Sequence, residues 1–151
     1  MDGDMKFELS SPAFAEGDEI PTRYTCQGEN FSPPLTISGT PKGTAKLALV
    51  MHDPDAPNGD FLHWTLWHLN PNIREIPENT VPDDALQGMN SAGSVGYMGP
   101  CPPSGIHHYI FNLYALDTTM NLPEGTRRAE LMKALDNHVV AQTALSGTFS
   151  A

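Results

Sequence analysis

Asp53, His63, His107 and Tyr109 are the residues of this chain whose types could assemble a chemical site. Imidazole N–H and phenol O–H groups donate hydrogen bonds, and a carboxylate can fix the tautomer and orientation of a neighbouring histidine. Bare backbone N–H groups of a glycine-rich loop add further donors. Such a loop, Gly96–Gly105 (GYMGPCPPSG), with Gly99 at its centre, runs straight into the segment that carries His107 and Tyr109. This set makes a small pocket for an oxyanion that needs no lysine or arginine. The competing reading is structural: Asp53 caps a turn, and the histidines are buried with their hydrogen bonds satisfied.

The elements around these residues must bring them together. Residues 45–51 (AKLALVM) form a nearly continuous apolar run of strand length, which ends at Asp53, held extended by the Pro54 that follows. Residues 61–69 (FLHWTLWHL) read as a second buried strand, with His63 sharing one face with Phe61, Thr65 and Trp67. From 107 to 116 the chain alternates, placing His107, Tyr109, Phe111 and Leu113 on one face and His108, Ile110, Asn112 and Tyr114 on the other. His108 should therefore point away from the site. Phe7 and Leu9 suggest a short first strand and Leu35–Ser38 a weak one, separated by a turn-rich stretch from Ser10 to Pro34 that serves function or covers the core. Residues 73–86 read as loop. A helix is expected after Thr126 as N-cap, with Leu131, Met132, Leu135 and Val139 as its apolar stripe, and 140–149 as a last strand broken by Gly147. The sum is a mainly β chain: an antiparallel Greek-key β-sandwich with one or two short helices near the C-terminus. Residues 1–5 read as an N-terminal extension and 6–151 as a single domain.

Other chemistries fit less well. Six histidines suggest a metal, and His63, His107 and Asp53 could form a mixed site, but no metal-ligand spacing is met and no metal or cofactor is expected. Ala92–Gly96 (AGSVG) echoes a nucleophile elbow, yet glycine and proline follow where a helix is required. Cys101 between prolines lacks a helix N-terminus to activate it. Gly39–Thr44 (GTPKGT) has the wrong order for a phosphate loop.

Composition narrows the partners. Eight basic against eighteen acidic residues give a net charge of -10, which disfavours nucleic acid and anionic membranes. No run approaches the roughly 18 apolar residues of a membrane span. The opening residues MDGDMKFELS have no signal-like pattern, so a cytoplasmic location is expected. The two cysteines, Cys26 and Cys101, read as free thiols in a reduced compartment, with a single long-range disulfide under oxidising conditions as the alternative.

Several stretches carry a family likeness: Cys26–Leu35 (CQGENFSPPL), Asp53–Pro57 (DPDAP), His63-Trp64, Gly96–Gly105 running into His107–Asp117, and His138–Phe149. In these the chain resembles the phosphatidylethanolamine-binding proteins, also called Raf kinase inhibitor proteins, in their bacterial and archaeal branch. The likeness spans Phe7 to Phe149. It implies an antiparallel β-sandwich with a surface pocket for phosphate, phosphorylated headgroups or similar anions. The pocket would be Asp53, Asp55, His63, Gly99, Pro102, His107 and Tyr109. It further implies a non-catalytic binding protein that modulates a partner, with a kinase or a serine protease as the implied class of partner; prokaryotic members resemble homodimers. A hydrolase using a pocket histidine is the remaining alternative. The chain departs from the family at Phe61-Leu62, at His108, at Met98 and at Asp60, where animal members carry an arginine nearby.

Overall fold

The computed structural model describes residues 6–151. The expected extension over residues 1–5 lies outside the described residues. Two antiparallel sheets make the fold. The smaller has the order β1 (Glu8–Ser10), β2 (Leu35–Ser38), β5 (Glu75–Ile76). The larger has the order β6 (Leu86–Gln87), β4 (Phe61–Leu69), β3 (Lys46–Asp53), β7 (Ile106–Leu116), β8 (Val139–Ser150). β3 and β4 form a hairpin, and β7 returns across a long connection to lie beside β3. That Greek-key return brings the segment starting at His107 to the end of the strand that stops at Asp53.

The apolar runs explain the layers. Leu47, Leu49 and Met51 of β3 meet Leu35 and Ile37 of β2 and Phe111 and Leu113 of β7 in the core between the sheets. Ala48 and Val50 face the other way, where Leu131 and Leu135 of α1 (Arg128–Leu135) cover them with Leu62, Trp67 and Leu116. A strand buried on both faces reads as an unbroken apolar run, and β3 is one. The Ser10–Pro34 stretch is largely irregular, with one 3-10 turn at Thr22–Tyr24, and its Phe14, Ile20 and Tyr24 plug the inter-sheet core. It is a covering layer.

Several expectations change in detail. β4 does not alternate strictly. Its register against β3 runs Met51↔Trp64 and then His52↔Leu62, which leaves His63 as the extra residue of a β-bulge. Thr65 and Trp67 consequently lie on the helix-covered side, while Phe61 and His63 face the inner side. Helix α1 has Arg127 at its N-cap position with no side-chain cap, because the Thr126 hydroxyl closes the preceding turn onto Pro123 O at 2.6 Å. β8 is continuous through Gly147. A Cβ there would sit 2.6 Å from Ile20 Cγ1 and 2.9 Å from Phe14 Cε2, so this glycine admits the covering layer without breaking the strand. The presumed loop over 73–86 contains β5 and the first residue of β6.

The cysteines are paired. Cys26 and Cys101 form a disulfide across 75 residues, which corrects the expectation of free thiols. Neither position is informative alone; the bond arises because two irregular segments lie side by side. Cys26 N–H donates to Pro100 O at 3.1 Å, Gly99 N–H to Asn30 Oδ1 at 2.9 Å, and Tyr97 O–H to Tyr24 O at 2.6 Å. Closing so long a loop should stabilise the fold by about 2–4 kcal/mol. Denaturant unfolding with and without a dithiol reductant should show a loss of that size, with Cys26→Ala/Cys101→Ala insensitive to reductant; equal midpoints in the wild-type chain would contradict the pairing.

Candidate functional site

The site lies where the β3–β7 ladder stops. The last ladder pair is His52↔Ile110, and beyond it the bond between His107 Nδ1 and Asp53 Oδ2, 2.6 Å, bridges the two strands. Asp53 is 3% exposed and His107 7%. Its second oxygen, Oδ1, accepts the N–H of Asp55 at 2.7 Å, the turn that Pro54 and Pro57 enforce. A carboxylate only accepts, so His107 carries its proton on Nδ1 and turns Nε2 outward as the free nitrogen. His63, 4% exposed, is fixed likewise: its Nδ1 donates to the carbonyl of Met98 at 2.6 Å. The bulge places this residue beside Tyr109, with ring centroids 5.2 Å apart at 81°. Tyr109 is also stacked near His107, at 6.4 Å and 23°.

These groups line a cavity of about 510 Å³. Its walls are Ala56–Phe61 from the β3–β4 turn, Ser91 and Met98, and Cys101, Pro102 and Pro103 from the glycine-rich loop, with Asp53, His63, His107 and Tyr109 beneath. Among the described residues, Nε2 of His63, Nε2 of His107 and the Tyr109 hydroxyl make no hydrogen bond to protein, and the one sealed side-chain polar atom without a partner is Thr65 Oγ1. The three groups therefore open on the cavity. A wider hollow of about 1110 Å³ runs between Gly39–Thr44 and Pro71–Arg74, but among the described residues no histidine, tyrosine or carboxylate converges on it. We place the candidate site at the smaller cavity for that reason.

Of the seven residues the sequence suggested, five line the cavity: Asp53, His63, Pro102, His107 and Tyr109. Two do not. Asp55 turns its carboxylate to His108, accepting from the backbone N–H at 2.8 Å and from Nδ1 at 2.7 Å. Gly99 packs against the Thr22–Asn30 segment, where a Cβ would fall 2.3 Å from Asn30 Oδ1 and 2.4 Å from Tyr24 O. Its role is to let the wall dock. His108 stays out of the lining. Sequence reasoning missed Ser91, whose Oγ accepts from Leu62 N–H at 2.8 Å and so supports the strand beside the bulge. It also missed Met98, whose carbonyl sets the His63 tautomer, and no side-chain pattern can reveal a backbone acceptor. Among the described residues, no group of three or more His, Cys, Asp or Glu side chains is arranged to hold a metal ion.

The electrostatics favour a neutral His63 ring and a protonated Tyr109 phenol. Burial pushes the His63 pKa below its ordinary value, and the Met98 carbonyl and the Asp53 charge do not offset it. Burial, reinforced by Asp53 and Asp55, pushes the Tyr109 phenol well above its ordinary value, so it remains a donor.

Comparison with known proteins decides the family. The profile described as phosphatidylethanolamine-binding protein matches residues 10–150. The chain belongs to this family. A UPF0098 protein of Methanothermobacter thermautotrophicus is 42% identical over 146 residues, covering 93% of this chain and 97% of its own length. A crystal structure from Chlamydia trachomatis, described as a phosphatidylethanolamine-binding protein homologue, superimposes with a TM-score of 0.92 at 39% identity, covering 96% of this chain and 97% of that one. Escherichia coli YbcL gives 0.90 at 30% identity, covering 97% and 99%. These phosphatidylethanolamine-binding protein relatives are not named as enzymes. No helix among the described residues is long and apolar enough to cross a membrane.

His63 gives this phosphatidylethanolamine-binding protein a pH signature. With its folded pKa depressed, stability is complete above the unfolded value of about 6.5 and falls as pH drops below it, because the unfolded chain takes up the proton first. The slope from this one group approaches about 1.4 kcal/mol per pH unit. Unfolding measured from pH 7.5 to 5 should be less steep in His63→Gln than in wild type. Identical slopes would remove the claim.

Proposed function

We propose that the chain is a non-catalytic binding protein whose cavity takes a small oxyanion, such as phosphate or a phosphorylated headgroup, and that occupancy modulates a partner protein. One observation carries this reading: three unpartnered polar atoms, on His63, His107 and Tyr109, open on one surface cavity beside a buried carboxylate. No serine or cysteine nucleophile is hydrogen-bonded to either imidazole, which disfavours the hydrolase alternative. Neutral Nε2 atoms accept rather than donate, so an oxyanion binds when a proton sits between the two, on the imidazole or on the ligand. Both cases take up a proton, and linkage makes affinity rise as pH falls. Each charge-assisted bond contributes about 1.5–3 kcal/mol.

Calorimetric titration of phosphate or phosphoethanolamine from pH 8 to 5 should show tightening with acidity. His63→Ala together with His107→Ala should weaken it about a hundredfold or more, with thermal unfolding recorded to establish that the variant is folded. Affinity that is flat with pH, or that survives both substitutions, would sink the proposal.

The rim loops at Pro57–Gly59 and Pro102-Pro103 surround the opening, so a partner seated there would sense whether the cavity is filled. A kinase or a serine protease is the class we favour for it. The Cys26–Cys101 bond removes one support for the cytoplasmic expectation, since such bonds persist in oxidising compartments. A Mycobacterium tuberculosis relative, 41% identical over 143 residues, carries the word lipoprotein in its name.

A homodimer is the favoured assembly, and the edge of β8 supports it. Gly17, Asp18 and Ile20 cover the outward backbone groups of Ser146 and Thr148. By the same alternation Gln142 and Ala144 also turn outward, and among the described residues nothing pairs with them. Val139–Ser150 carries no charge in a chain of net charge -10, and the Glu16 carboxylate at its Ser146 end is engaged by the Ser146 N–H and hydroxyl, which lessens the repulsion between two copies approaching there. Gln142→Pro removes an outward donor and leaves the β7 ladder intact; sedimentation should show the dimer lost. A wild-type monomer at high concentration would end this reading.

A further inference from the structure

Two carboxylates, Asp53 and Asp60, line the cavity, and among the described residues no lysine or arginine does. Asp60 is an unusual wall for an anion site, and its surroundings explain how it persists. Its Oδ1 accepts from His52 Nδ1 at 2.7 Å, and its Oδ2 pairs with the Arg128 guanidinium of α1 at 2.7 Å. Burial opposes its ionisation, but the bonds from His52 and Arg128 outweigh it and hold the carboxyl below its ordinary value. His52 is itself held from the far side, with Nε2 against Asn112 Nδ2 at 3.1 Å.

The charges that face the cavity can be followed element by element. β3 contributes Asp53 and, behind the wall, His52; the β3–β4 turn contributes Asp60, whose carboxylate is engaged by His52 and Arg128, and Asp55, whose carboxylate is engaged by His108. β4 contributes His63, and β7 contributes His107 and Tyr109. α1 contributes only Arg128, set behind Asp60. With both cavity imidazoles neutral, two carboxylates stand against one guanidinium. One imidazolium brings the surroundings only to balance.

We propose that this cavity selects singly charged oxyanions, namely phosphodiesters, monoprotonated phosphomonoesters and carboxylates, and rejects dianions, with Asp60 as the specificity-determining residue. This rests on the oxyanion reading above. Repulsion follows the product of charges, so a dianion meets twice the penalty of a monoanion at the same place. Its extra charge must also leave water for a site with no cation in its lining. The hydrogen bonds on offer do not compensate. A free Nε2 accepts, and a monoprotonated phosphoryl group has a proton to give it, whereas a dianion, like a diester or a carboxylate, must take its hydrogen bond from a protonated imidazole.

The test uses the intact wild-type protein and three probes: methyl phosphate, dimethyl phosphate and acetate, each titrated at pH 8 and pH 5.5. Methyl phosphate passes from dianion to monoanion between these values, because its second pKa is about 6, and the other two carry one charge throughout. At pH 8, dimethyl phosphate or acetate should bind at least about tenfold tighter than methyl phosphate. At pH 5.5 that ratio should fall by about tenfold. All three probes are compared at the same pH, so any effect of acidity on the fold is common to them. Which of the singly charged probes binds tighter separates a diester source from a carboxylate source. Asp60→Asn, checked for fold by thermal unfolding, should reduce the pH 8 preference about fivefold.

Methyl phosphate binding as well as dimethyl phosphate and acetate at pH 8 overturns the selectivity and leaves the oxyanion reading standing. A preference that Asp60→Asn does not move removes Asp60 from the role assigned to it. Failure of every probe at both pH values overturns the oxyanion reading and this inference together.

Discussion

The buried carboxylate of Asp53 is the constraint on which the rest of the site depends. A charge this deep costs several kcal/mol unless it is paired and hydrogen-bonded on both oxygens. One oxygen is satisfied locally, by the Asp55 N–H in a turn fixed by flanking prolines. The other needs a partner from elsewhere, and His107 of β7 supplies it. That contact sits where the ladder between β3 and β7 has ended. The strands part, and the cavity occupies the space. Asp53 thus closes the gap between two strands and fixes the ring whose Nε2 faces the cavity.

The same economy of charge runs through the walls. Oriented polar groups, not lysines or arginines, line the cavity among the described residues: His63 is set by a backbone carbonyl, His107 by Asp53, and Tyr109 is kept protonated by burial. Arg128 is present but spent on Asp60, one layer behind. Under the proposed reading, a site so arranged would couple occupancy to proton uptake and to ligand charge. Family membership fixes the architecture, but the chemistry follows from these particular side chains.

The loop that forms the upper wall is rigid for reasons that lie outside it. Tyr97, Gly99 and Cys101 are each tied to the segment between Tyr24 and Asn30, by a phenol, a backbone amide and a disulfide. That segment follows the covering layer whose Phe14 and Ile20 press onto Gly147. The covering chain and the cavity wall are consequently one mechanical unit. Three ties of different chemistry hold it.

By itself, the sequence determined the long strands and named five residues of the cavity lining. Apolar runs with a strand's length and period specify β3 and β7 without reference to neighbours, and prolines and glycines specify the turn and loop that meet at their ends. His107 and Tyr109 were legible because β7 alternates without interruption. Tertiary structure alone decided what depends on a partner. His63 faces Tyr109 because a bulge, visible only in the register against β3, adds a residue at that point. Gly99 and Asp55 left the cavity because a packed loop and His108 claimed them. The cysteines joined because two irregular segments with no periodicity were brought together. Local preferences act over a few residues, whereas bulges, loop docking and disulfides are settled by chain that is distant in sequence and near in space.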